Sequence, residues 1–226
     1  MTQLKLAPAD ADLSALASGT LADNTLPAYR YPTEIRRPPW RWRLRQTWKL
    51  LCDGSYVIPS LARLARRCGL LVAYSELYGL VYHADGTATN YGLLGRRVVT
   101  DAGVAYLAAD IAGGGSDSNL FKFAGFGTGT TNESAAQTTL VTELTTEYAV
   151  DSTRPTGSQS ATTNAYTTVA TLSPDSGGTL AITEHGLFSA SSAGTLWDRT
   201  KFSAINLVAG SDSLAATYVA TFPSGG

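Results

Sequence analysis

Four side chains in this 226-residue sequence, two histidines and two cysteines, have the chemistry of a catalytic or metal centre, and their spacing argues against both. His83 and His185 are the only histidines, and Cys52 and Cys68 the only cysteines. A zinc site needs three or four converging ligands, and these four residues are scattered with no shared motif. The Cys52–Cys68 spacing suits neither a metal knuckle nor an obligatory disulfide; buried free thiols are expected, with a bridge as the alternative. His185 follows Glu184 in Thr-Glu-His-Gly, but neighbours on a strand point to opposite faces, so the two do not converge on one ion. Gly125-Phe-Gly-Thr-Gly-Thr-Thr has the glycines of a phosphate loop without the Lys-Ser/Thr that would complete one, and reads as a turn leaving a strand. No serine sits in a Gly-x-Ser-x-Gly elbow. The expectation is a non-enzymatic protein with no cofactor and no metal.

The segment with interaction chemistry is Tyr29–Arg45, YRYPTEIRRPPWRWRLR. Pro32, Pro38 and Pro39 favour extended chain. Beyond them Trp40, Trp42 and Leu44 alternate with Arg41, Arg43 and Arg45, which predicts a strand, apolar on one side and cationic on the other; Gln46–Cys52 is open to a helical turn. Tryptophan and arginine dominate protein–protein hot spots, so Arg36, Arg37, Trp40, Arg41, Trp42, Arg43, Arg45 and Trp48 are the expected partner-binding anchors. Intramolecular packing is the second reading. Single-stranded nucleic acid or a membrane surface is disfavoured, because the cluster is short and joined to an acidic body.

That charge asymmetry is marked. Residues 1–70 hold 11 Lys and Arg against 5 Asp and Glu; the remainder hold 6 against 13. A basic arm on an acidic body needs an anionic or self-complementary partner. Charged residues make up only 15% of the chain, below the roughly 25% of ordinary soluble proteins, as expected of hydroxyl-rich strands or of a surface covered by neighbours. Neither a signal peptide nor an apolar run of membrane-spanning length is recognisable, so synthesis in a cytoplasm is expected.

The elements that must carry these residues are mostly strands. Leu70–Tyr74, Tyr78–His83 and Leu93–Thr100 have strand character, with an Asp85-Gly86 turn. Thr100 or Asp101 caps a helix to Ile111, with Val104, Leu107, Ala108 and Ile111 on one face. Asn119–Phe126 and Thr163–Leu172 alternate. Leu180–Phe188, Thr195–Asn206 and Ser213–Phe222, separated by turn-forming clusters, predict a three-stranded antiparallel meander. Glu184 on the first of these and Arg199 and Lys201 on the second are placed to pair across it and set register. Gly186 is expected to admit a close neighbour. A short helix is expected at Pro59–Cys68, and residues 1–29 are expected to be an extended arm ordered on a partner, with a short helix at Asp12–Ser18 as the alternative. The fold class is mainly β: an antiparallel β-sandwich with an extended basic N-terminal arm and one or two short helices. Residues 1–69 form the arm, 70–118 a linking segment of strands and helix, and 119–226 the sandwich.

Three segments carry a family resemblance: Gly95-Arg-Arg-Val-Val-Thr-Asp-Ala-Gly-Val-Ala-Tyr; Phe126-Gly-Thr-Gly-Thr-Thr-Asn-Glu-Ser-Ala-Ala-Gln-Thr-Thr-Leu with Leu144–Pro155; and Ile182-Thr-Glu-His-Gly-Leu-Phe with Asp198-Arg-Thr-Lys-Phe-Ser-Ala-Ile-Asn-Leu. Over residues 90–224 the chain resembles bacteriophage virion structural proteins of the head and tail gene region. The resemblance implies a structural protein of the phage particle and brings no catalytic or ligand-binding residues with it. The expected role is a capsid decoration (cement) protein, a trimer on the head surface whose arm clamps the major capsid protein. The alternative is a collar or fibre-base adaptor of the neck or tail. A carbohydrate-binding module would need an aromatic platform, for which Tyr166 and Trp197 are too isolated.

Overall fold

The structure, a computed structural model, describes residues 32–52, 74–96, 98–112, 117–162 and 164–222. The arm before Pro32, the Asp12–Ser18 and Pro59–Cys68 helices and the Cys52–Cys68 question lie outside the described residues. What is described is mainly β, in two sheets. The strands are β1 (Ile35–Arg36), β2 (Tyr74–Tyr82), β3 (Ala88–Arg96), β4 (Val98–Val99), β5 (Phe123–Gly127), β6 (Ser158–Thr162), β7 (Ala165–Leu172), β8 (Thr179–Phe188), β9 (Leu196–Val208) and β10 (Ser213–Thr221). Two helices accompany them, α1 (Trp40–Cys52) and α2 (Asp101–Ile111).

The larger sheet has the order β1-β3-β2-β10-β7-β6, antiparallel except where β1 runs parallel to β3. The smaller sheet is β4-β9-β8-β5, antiparallel throughout. One hydrophobic core serves both. Leu77, Val81, Leu94, Leu214 and Tyr218 enter it from the larger sheet, and Phe126, Ile182, Leu187, Phe202 and Ile205 from the smaller. The alternation of β2, with Ser75, Leu77, Gly79 and Val81 buried, is that of a strand with one face in a core.

The expected meander is overturned in its third strand. β8 and β9 form a hairpin, but β10 pairs with β2 and β7 in the other sheet. The turn after Val208 explains the crossing. Gly210 has φ +72°, and its N–H reaches Pro174 O at 2.7 Å, while Asp212 Oδ2 accepts the Val208 N–H at 3.0 Å. Turn chemistry signals a reversal without specifying which strand is paired afterwards. β10 thereby lies between a strand from the 70–118 segment and one from the 119–226 segment.

Three local expectations also change. Leu70–Tyr74 and Tyr78–His83 become the single strand β2 where described, and Asn119–Phe126 is a 3₁₀ turn at Ser118–Leu120 followed by β5. Helix α2 begins as expected, with Thr100 Oγ1 accepting the Gly103 N–H at 3.0 Å. Its expected apolar face is rotated, however. Val104 and Ile111 are exposed, and Gly103 is the buried residue. A Cβ at Gly103 would stand 2.7 Å from Trp197 O, so the helix rests on β9 through the one residue that permits that approach.

Candidate partner interface on the first helix

The Trp/Arg segment is a helix, which overturns the expected strand. Pro38 and Pro39 end the extended chain, and the Pro39 carbonyl accepts the Arg43 N–H at 3.1 Å as the first helical bond. A period of 3.6 in place of 2 redistributes the side chains. Trp42, Gln46, Lys49 and Leu50, spaced i, i+4, i+7 and i+8, turn towards the body; Gln46 and Leu50 are buried. Trp42 is therefore turned towards the core and partly buried. Its Nε1–H donates to Ser203 O at 3.1 Å, and its ring meets Tyr91 edge-on at 4.7 Å.

Gln46 explains why the helix docks where it does. Its amide Nε2–H reaches the Leu94 carbonyl of β3, and its Oε1 accepts the Ser203 N–H of β9 at 3.0 Å. β1 pairs with β3 only at Ala88 and Thr89, and β4 with β9 only at Asp198 and Arg199. One side-chain amide thus stands in for a missing strand on the borders of both sheets, a way of covering edges that would otherwise expose backbone polar groups.

The opposite face is open. Trp40, Leu44 and Trp48 are 60%, 53% and 67% exposed and recur every four residues, forming an apolar ridge along the helix. One residue on, Arg41 and Arg45 are exposed and form a parallel cationic line that leads to Lys49, which is turned towards the body with its side chain 15% exposed. The Arg41 guanidinium lies 5.5 Å from the Trp40 ring centroid. Arg37 and Arg43 are exposed beside this face, and Arg36 pairs with Glu34 at 3.2 Å and Asp85 at 3.6 Å. The expected anchors therefore divide: Trp42 fastens the helix, Trp40 and Trp48 present an outer surface, and the arginines flank it.

Beside the helix, the segment from Thr128 to Gly157 covers the outer face of the smaller sheet. Glu184, with no exposure, holds it there. Its carboxylate accepts N–H bonds from Gly129 (3.0 Å), Val141 (3.1 Å) and Thr142 (2.7 Å), and from Arg199 Nε at 2.7 Å. Arg199 Nη1 continues to Thr131 O at 3.0 Å and Gln137 Oε1 at 3.2 Å. One amide of the glycine-rich loop, that of Gly129, thus meets the chain's own carboxylate, together with the Val141 and Thr142 amides from further along the segment. Of the expected cross-strand pairs, Glu184 pairs with Arg199. Lys201 lies opposite Glu184 in register, yet its ammonium donates to Thr130 O (3.1 Å) and Asn132 Oδ1 (2.7 Å). A second arginine, Arg154, pins the same segment by pairing with Glu143 at 2.5 Å while lying 3.4 Å from the Phe188 ring centroid. Periodicity gave no sign of this covering segment, because it contains no strand or helix of its own; the glycines were its one signal.

Both histidines have partners within the fold. His185 is buried against Phe126, and burial drives its pKa down to about 3, so it is neutral. His83 bridges Asp212 (Nδ1, 3.0 Å) and Thr89 (Nε2, 2.9 Å), tying the β2–β3 hairpin to the β9–β10 turn. Between the sheets, Ser75 Oγ–H donates to Asp198 Oδ2 at 2.7 Å and Trp197 Nε1–H to Tyr218 OH at 2.6 Å. Burial, with the Asp198 charge second, raises the Tyr218 pKa well above its ordinary value. Among the described residues no group of three or more His, Cys, Asp or Glu is placed to hold a metal, and no helix is long and apolar enough to cross a membrane. No protein-family model matches the chain, and no curated protein or solved structure matches it.

Proposed function

We propose that this chain is a non-enzymatic structural protein that stabilises an assembly by laying the outer face of α1 on a neighbouring subunit. The observation that carries the reading is the Trp40–Leu44–Trp48 ridge, exposed on a helix whose other face is fastened to both sheets. Two tryptophans and a leucine at these exposures offer roughly 300 Å² of apolar surface, on the order of 7 kcal/mol at about 25 cal/mol per Å² before the entropic cost of association. A rigid helix presents that surface already ordered, which lowers the cost.

The resemblance to phage virion proteins supplies the setting. The two sheets with their shared core are read as a β-sandwich on the outside of a phage head, in trimers. The ridge and its arginines dock on the major capsid protein. Stabilisation follows from mass action, since binding the assembled shell favours it over its dissociated subunits. The same surface would serve a neck or tail adaptor, and copy number separates the two. On purified particles, hundreds of copies accord with a cement protein, whereas a few per cent of the major capsid protein moves the chain to the neck or tail. Replacing Trp40 and Trp48 together with alanine is expected to lower occupancy on particles at least tenfold while leaving the isolated protein folded. Unchanged occupancy would remove the ridge from the interface.

A further inference from the structure

A groove of about 300 Å³ runs between α1 and the body, lined by Arg45 and Lys49 of the helix, Lys201, Phe202 and Ser203 of β9, and Thr130. Three cations meet in it. One carboxylate is already present nearby: Glu133 lies 3.8 Å from the Lys49 ammonium and also accepts the Lys201 backbone N–H. The lining thus shows what chemistry it accepts and remains cationic after accepting it. Arg45 is exposed, and its charge continues the line from Arg41 towards Lys49 beside the apolar ridge.

We propose that this groove and ridge together receive an acidic amphipathic helix from the partner protein, its carboxylates along the Arg41–Arg45–Lys201 side and its apolar residues over Trp40, Leu44 and Trp48. This rests on the reading of α1 as a docking face and adds the chemistry of the partner. Each line runs for eight residue steps, Trp40 to Trp48 and Arg41 to Lys49, or about 12 Å of helix. An occupant must show an apolar line and an acidic line side by side over that length. An extended strand puts alternate residues on opposite faces and cannot do so, whereas two turns of helix with apolar residues at i and i+4 and acids at i+1 and i+5 can. The aliphatic Leu44 between the two tryptophans, and Glu133 beside the cations, favour protein side chains over nucleotide bases and phosphates.

The test uses the full chain and a fluorescent 18-residue helical peptide of Leu, Ala and Glu, with two controls: Gln in place of every Glu, and a scrambled sequence of the same composition. Anisotropy titrations at low and physiological salt are expected to show the Glu peptide binding at least tenfold more tightly than either control. Arg45→Glu is expected to abolish that preference, and Arg45→Gln to weaken it severalfold. Both substitutions are at an exposed position, and circular dichroism should confirm an unchanged fold. Equal binding of the Gln or scrambled peptide overturns the proposal, as does an Arg45→Glu variant that binds normally. Tighter binding of a single-stranded oligonucleotide, lost in Arg45→Glu, assigns the groove to phosphate and equally overturns it. So does self-association that Arg45→Glu abolishes. Failure here is separable from failure of the docking face: if Trp40 and Trp48 govern particle occupancy while the Glu peptide is not recognised, the ridge stands and the acidic groove falls.

Discussion

At the scale of single residues, a buried ion pair ties the covering segment to the smaller sheet. Glu184 and Arg199 are both almost fully enclosed, and three backbone amides share the carboxylate with the guanidinium. Removing one member of such a pair leaves the other charged and desolvated, which typically costs 3–5 kcal/mol. Glu184→Gln is therefore expected to lower unfolding free energy by about that amount in urea titrations, and to loosen Gly129–Thr142 to proteolysis before the sheets unfold. His185 sets a different dependence. Its folded pKa lies below its unfolded value of about 6.5, so the neutral form favoured by folding contributes fully above that pH. As pH falls from about 6.5 towards 3 the unfolded state takes up a proton that the folded state excludes. Stability should decline by up to about 1.4 kcal/mol per pH unit from this residue. A His185→Leu variant is expected to show a correspondingly flatter profile between pH 6 and 4; an identical slope would show that His185 is already protonated in the fold.

At the scale of elements, α1 illustrates how one amide can position a surface. Gln46 satisfies a carbonyl of β3 and an N–H of β9, so Gln46→Leu leaves two backbone groups on the sheet borders without their partner. A loss of about 1–3 kcal/mol is expected. Hydrogen exchange should rise at the Ser203 amide and in the helix, while β8 keeps its protection. Loss of protection throughout the smaller sheet would mean that the helix supports more than the borders it touches.

At the scale of the whole molecule, the last strand stands in the middle of the larger sheet. β10 pairs over its full length with β2 on one side and over most of it with β7 on the other, and contributes Leu214, Ala216, Tyr218 and Ala220 to the core. Truncation before Ser213 is expected to abolish cooperative unfolding, read by circular dichroism and calorimetry, although it removes little of the chain. A truncated protein that melts cooperatively near the full-length temperature would show that the smaller sheet and α1 form a core of their own. The position of β10 also makes folding depend on contacts between residues far apart in sequence, which favours slow folding.

The sequence by itself determined what depends on near neighbours. Strand alternation at Leu214–Ala220, the Thr100 cap, the Asp85-Gly86 turn and the Glu184–Arg199 pair were legible, because each is set within one element or between two strands joined by one turn. The Trp/Arg segment misled because Trp-Arg-Trp-Arg-Leu-Arg alternates over only six residues, and a window that short cannot separate a period of 2 from one of 3.6. What only the tertiary structure decided is which surfaces meet: β10 beside β2, Gly103 against Trp197, Trp42 inward with Trp40 and Trp48 outward, and a glycine-rich loop closed on Glu184. Those outcomes depend on burying apolar area and satisfying backbone polar groups across the whole chain at once, and no local pattern carries that sum.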